Sequence, residues 1–154
     1  RAQELVKYAR SIGIFVAGNF IIGFPGETWD EILETVKFAE TIEVDYAKIF
    51  IAIPLKNTVM YEMAKSQGAL KKEKSENIWS SGGMLNTDEF NSEDLTILRA
   101  YEWERINFTD PIRRKKIADR MQITLDELSV IRKRTISNAR KKIAESSYPA
   151  ASVN

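Results

Sequence analysis

The chain has 154 residues, of which 44% are hydrophobic and 29% charged, and its net charge is +1. This composition fits one globular domain, or part of one with an appendage, and argues against a disordered chain. Cysteine and histidine are both absent, which removes disulfides, thiolate nucleophiles, imidazole bases and every metal site built on those ligands.

Leu5, Val6, Ala9 and Ile12 recur at helical spacing and Gly13 supplies a left-handed stop, which predicts a helix over residues 1 to 12. The chain opens on Arg1 inside this amphipathic stretch with no capping residue before it, so its natural start is expected upstream. Residues 14 to 22 (IFVAGNFII) are nearly all apolar and rich in branched side chains, the pattern of a parallel strand covered on both faces. Pro25 and Gly26 form a turn, and Thr28 with Glu31 is a capping box for a helix through Ile32, Val36, Phe38, Ala39 and Ile42. Residues 46 to 53 (YAKIFIAI) read as a second buried strand closed by Pro54, and residues 58 to 67 as a helix ended by Gly68.

A strand, a helix and a strand of these lengths form a right-handed βαβ unit whose strands lie parallel in a larger sheet. Sheets usually have about 4 to 6 strands, so the missing N-terminal part of the same protein is the first expected partner. Residues 69 to 91 include Lys71, Lys72 and Lys74, then Ser80, Ser81, Gly82 and Gly83, and read as a connector without sustained periodicity. Ser92 is the expected cap of a helix through Leu95, Leu98, Tyr101, Glu102 and Ile106, and Asp110 with Pro111 starts another, to about residue 121. Thr124 and Glu127 form a second capping box, for a helix to about Ala144. The expected organisation is thus a βα part over residues 1 to 68, the connector, a basic helical extension over 92 to 146 and a frayed tail over 147 to 154.

Residues 18 to 28 (GNFIIGFPGET) resemble the fifth barrel strand and following turn of radical S-adenosylmethionine enzymes, and residues 53 to 61 (IPLKNTVMY) resemble the end of their sixth strand. The likeness covers about residues 1 to 70 and implies an α/β fold: the C-terminal part of a partial (β/α) TIM-like barrel, followed by a helical extension. In such barrels ligands sit at the carboxyl ends of the strands. The resemblance implies that these two strand ends help hold the adenine of S-adenosylmethionine, a role carried to Asn19, Ile21, Gly23, Phe24, Ile53 and Pro54, with Glu27 at the rim. A bare Gly23 backbone would admit a flat purine, and strand-end amides would hydrogen-bond its edge. Taken singly, Ile21 and Ile53 also suit any βαβ core, and Glu27 any helix N-terminus.

This sequence departs from the family pattern at Asn19, where a glycine is frequent, and at Lys56 and Asn57, where Pro-Gly is common. The family holds a four-iron, four-sulfur cluster on three cysteines, and none is present; its ligands are expected upstream. The resemblance implies a parent enzyme in which the reduced cluster cleaves S-adenosylmethionine to a radical that abstracts hydrogen from a substrate, while this chain alone is inactive. The FIIGFPGET turn and the long extension are most similar to the branch whose upstream domain binds cobalamin, which adds methyl transfer to the expected chemistry.

The near-neutral total hides an asymmetry: residues 1 to 110 carry 12 Lys and Arg against 18 Asp and Glu, and residues 111 to 154 carry 11 against 4. The basic tail is a candidate for a polyanion. Residues 117 to 131 can be read as two short helices around a turn at Gln122 and Ile123, with Ala118 and Leu128 buried, so a helix-turn-helix-like nucleic-acid module over residues 111 to 145 is the competing function. Arg132, Lys133, Arg134, Arg140, Lys141 and Lys142 would supply its charge. The same residues also fit a solvated face beside a stripe of Leu128, Ile131, Thr135 and Ala139. A third reading has the extension close the open side of the barrel, with Trp79, Tyr101 and Trp103 lining a pocket. No apolar run reaches the roughly 20 residues of a membrane span and no leader pattern occurs, so a cytoplasmic location is expected.

Overall fold

The computed structural model of the chain describes residues 1 to 70 and 85 to 143. Among the described residues the fold is mixed α/β, with six helices and one two-stranded parallel sheet. In chain order the elements are α1 (Ala2–Ser11), β1 (Ala17–Ile22), α2 (Trp29–Thr41), β2 (Tyr46–Ile51), α3 (Val59–Ser66), α4 (Ser92–Phe108), α5 (Pro111–Met121) and α6 (Leu125–Ile143). No helix among them is long and apolar enough to cross a membrane. The expected tail and most of the connector lie outside the described residues.

Both capping boxes form. Thr28 accepts from the Glu31 amide at 3.3 Å while the Glu31 carboxylate accepts from the Thr28 amide at 2.8 Å, and Thr124 and Glu127 repeat the pattern at 3.1 and 2.8 Å. For α4 the cap is Asn91 rather than Ser92. Asn91 accepts from the Asp94 amide at 2.8 Å, while the Ser92 amide is already held by the Asn86 side chain at 3.0 Å. Both residue types cap well, so local position decided between them.

β1 begins later than its apolar run. Gly13 takes a positive φ of 83°, and the ladder starts where the Val16 carbonyl accepts from the amides of Asp45 and Tyr46 at 2.8 and 3.2 Å. Phe20 and Ile22 of β1 and Ala47 and Ile49 of β2 are buried in one core with Ile32 and Val36 of α2 and Leu95 and Leu98 of α4. Each fully buried Ile or Leu of this set contributes about 2 kcal/mol. The opposite sheet face carries Asn19 beside Lys48 and Ile21 beside Phe50 in register. There Ile21 is 48% and Phe50 45% exposed. Among the described residues the strands are therefore buried on the Phe20 and Ile22 face, while apolar Ile21 and Phe50 stand half-exposed on the other and hide a period-two alternation.

α4 also closes one edge of the sheet. The side-chain amide of Asn107 accepts from the Ala47 amide and donates to the Ala47 carbonyl, both at 2.8 Å, and donates to the Trp103 carbonyl at 2.9 Å. One side chain thus stands where a further strand would pair, a device that protects an otherwise open edge. The two ends of the connector are drawn in as well. Leu70 and Leu85 pair in an antiparallel bridge, and Leu85 and Phe90 are buried.

α5 and α6 join through Gln122, which takes the left-handed conformation at φ 57°. Ala118 and Leu128 are buried as the sequence implies, and the helices run 11 and 19 residues, as the Asp110 and Thr124 caps predict, rather than as the two short helices of the helix-turn-helix reading. α6 lies along α4, where Arg132 makes a bidentate bond to Glu104 and sits 5.0 Å from the centre of the Phe108 ring. Phe108, Ile117, Ala118 and Leu128 form a second core, with Trp103 edge-on to Phe108 at 4.8 Å.

At the amino end of β2, Asp45 is almost fully buried and joins three elements. Its carboxylate accepts from Lys116 of α5 at 2.6 Å, from Arg10 of α1 at 3.2 Å and from the Val16 amide at 2.8 Å. Arg113 adds bonds to the Val44 and Asp45 carbonyls at 2.8 and 3.3 Å.

Candidate functional site

The carboxyl ends of β1 and β2 open onto a cavity of about 640 Å³. Its apolar wall is built from Ile21, Phe24, Phe50, Ile53, Leu55 and Met60, and its polar side from Thr96 and Arg99 of α4 and Asn138 and Lys142 of α6. The size suits a small organic ligand, and the mixture of apolar surface with a few polar groups is that of a binding site.

Three of the seven residues picked out in the sequence, Ile21, Phe24 and Ile53, line this cavity. Asn19 is exposed on the same open face as Ile21, one alternation earlier. Gly23 and Pro54 are buried in the strand ends. Gly23 has φ 82°, and a Cβ added there would stand 2.5 Å from Cδ1 of Leu95. Its bare side is therefore filled by α4, and glycine is required by backbone conformation and by this approach.

Glu27 folds back on the strand end. Its carboxylate accepts from the amides of Gly23 at 2.5 Å and Phe24 at 2.8 Å, while its own amide bonds the Phe24 carbonyl at 3.1 Å. Pro25 and Gly26, the latter at φ 84°, complete a tight turn. The Gly23 and Phe24 amides at the end of β1 are thus satisfied within the chain by Glu27.

Sequence reasoning missed Phe50, Met60, Thr96, Arg99 and Asn138, and it assigned Lys142 to a polyanion-binding tail rather than to this cavity. The alternation in YAKIFIAI could have found Phe50, since it shares a face with Lys48; Arg99 and Lys142 have no local signal because helix docking places them. Trp103 lies beside β2 and donates to the Tyr46 hydroxyl at 3.1 Å. Tyr101 is approached by Arg140 at 3.5 Å, and Trp79 lies outside the described residues. Of the six tail cations, Arg132 and Arg140 turn toward α4 and Lys142 toward the cavity, while Lys133, Arg134 and Lys141 are exposed.

Among the described residues no group of three or more His, Cys, Asp or Glu is arranged to hold a metal ion. With no cysteine anywhere in the chain, the residues present do not fit an iron-sulfur cluster.

No family model matches the chain, and no solved structure matches it. It is 34% identical over 95 residues to a protein of Pyrococcus horikoshii named as an uncharacterized methyltransferase, a match covering 62% of this chain and 21% of that protein. It is 38% identical over 60 residues to an uncharacterized protein of Methanocaldococcus jannaschii, covering 39% of this chain and 19% of the relative. It is 35% identical over 81 residues to cytidylyl-2-hydroxyethylphosphonate methyltransferase of Streptomyces wedmorensis, covering 49% of this chain and 15% of that enzyme. The matches thus span about a fifth or less of each relative's length, and the chain is similar to part of two proteins named methyltransferases.

Proposed function

We propose that this chain forms the adenine-side wall and the closing helical layer of a methyltransferase of the radical S-adenosylmethionine type. The observation that carries the reading is the meeting of Ile21, Phe24 and Ile53 in one cavity at the carboxyl ends of two parallel strands, the face on which parallel barrels place their ligands. Similarity to proteins named methyltransferases supports methyl transfer, with S-adenosylmethionine as the donor. The open face of Asn19, Ile21, Lys48 and Phe50 is the inner wall of the barrel in this reading, and the free edge of β1 is where the upstream strands pair. The cluster ligands, and a cobalamin domain where one is used, belong to those upstream residues. Alone, the chain does not turn over.

The test uses the complete protein, purified without oxygen. S-adenosylmethionine is expected to bind, and Ile21→Glu, at a half-exposed position, is expected to weaken binding at least tenfold while leaving the melting temperature unchanged. Equal affinity in parent and variant would sink the placement of adenine. An upstream sequence lacking three closely spaced cysteines would sink the radical chemistry while leaving the placement standing.

A further inference from the structure

The cavity adjoins a smaller one of about 270 Å³ between β2, α4 and α6, and Phe50 and Arg99 line both. Lys48, Arg99 and Lys142 stand along the trough of these two cavities, and among the described residues no carboxylate lines either of them. Several other cations have acidic partners. Arg105 pairs with Glu40 and Glu102, Arg132 with Glu104, and Arg10 and Lys116 with Asp45.

Arg113 has no ion pair but donates to the Val44 and Asp45 carbonyls, whereas Arg99 has no carboxylate partner among the described residues. It is half-buried on α4, and its Nε is buried with no hydrogen-bond partner. Burial pushes the guanidinium's pKa down, and no carboxylate of the described residues acts to restore it. A desolvated, unpaired donor on a charged group costs stability. The chain nevertheless directs it into the one wall of the trough that the strands do not form. Its planar fork matches the oxygens of a carboxylate or a phosphoryl group. A single negative charge would leave two of the three cations unanswered, whereas a dianion with three terminal oxygens can accept from Arg99 and a neighbouring lysine together.

We infer that Arg99, with Lys142, forms a subsite for a doubly charged phosphoryl-type oxyanion carried by the methyl acceptor. Only the word acceptor rests on the function proposed above; the affinity of the trough for the oxyanion does not.

The test titrates the full chain at low salt and pH 8.5 with methylphosphonate, a dianion there, and separately with acetate, following the Arg99 side-chain Nε–H resonance and the heat of binding. Methylphosphonate is expected to move that resonance and to bind at least tenfold more tightly than acetate. Arg99→Gln is expected to lower its affinity at least tenfold, with a smaller loss in Lys142→Gln. Arg134→Gln, exposed on α6 outside the trough, is expected to match the parent. Should Arg99→Gln fail to fold by thermal melting, Arg99→Lys is read instead, and an intermediate affinity is expected. Equal binding of acetate, an unmoved Arg99 resonance, or the same loss in Arg134→Gln would overturn the subsite. Since no S-adenosylmethionine is present, failure here and failure of the adenine placement are separate results.

Discussion

β2 has two differently charged ends. At its amino end one buried carboxylate, Asp45, is enclosed by Lys116, Arg10 and the Val16 amide. At its carboxyl end a half-buried cation, Arg99, faces a trough lined by no carboxylate among the described residues. The first arrangement is closed: each charge there has a partner in the chain, and the bonds tie α1, β2 and α5 together. The second is open, and its charge is answered by nothing described in the chain. In parallel α/β architectures the carboxyl end of the strands is where chemistry is placed, and the distribution of paired and unpaired charge follows the same division.

The largest effect that would break this contrast is expected at Asp45. Asp45→Ala removes the shared acceptor, leaving the Val16 amide without its partner and two cations unanswered, and should cost about 3 kcal/mol in urea unfolding. A loss below about 0.5 kcal/mol, the range of ordinary surface substitutions, would show the cluster to be incidental. The same residue has a pH signature. Burial acts to raise the Asp45 carboxyl, but hydrogen bonds from Lys116 and the Val16 amide and the charges of Lys116 and Arg10 outweigh it and hold it below its ordinary range. Its folded pKa therefore lies below the unfolded value of about 3.9. The stability it contributes is present above that value and is lost as pH falls through the folded pKa. The parent should lose more stability on acidification through this window than Asp45→Ala; superimposable acid profiles would contradict the assignment.

A smaller effect is expected at Asn107, which borders neither charged centre. Asn107→Ala leaves the buried amide and carbonyl of Ala47 unpaired and should cost about 2 kcal/mol, measured by the same unfolding. Hydrogen exchange at Ala47 should accelerate alongside, and unchanged exchange would mean that water replaces the side chain without loss. The smallest effect on folding is expected at Arg99. Arg99→Met keeps the apolar stem and removes an unpaired charge, so stability should stay within about 0.5 kcal/mol of the parent or rise. A loss as large as that of Asp45→Ala would make Arg99 a structural residue and erase the difference between the two ends.

Part of this organisation was legible without coordinates. The order of elements follows from apolar periodicity and punctuation: Gly13 and Gly68 end helices, Thr28 with Glu31 and Thr124 with Glu127 begin them, and Pro111 opens α5. These are local effects, settled by residues within four positions of one another, so the sequence carries them directly. The neighbourhood of Ile21, Phe24 and Ile53 was legible through the two strand-end motifs, because parallel pairing brings such ends together.

What only the tertiary structure decided depends on residues far apart in sequence. Glu27 proved to hold the strand-end amides, and Leu95 of α4 to fill the space beside Gly23. Both alter the manner in which a ligand can meet that turn. The exposed sheet face could not be distinguished from a buried one while Ile21 and Phe50 interrupt the polar positions with apolar side chains. The docking of α4 on the edge of β2 through Asn107, 60 residues from Ala47, fixes where Arg99 points. Periodicity marks Arg99 only as one charged residue on a helix; its lack of a partner is a property of everything packed around it.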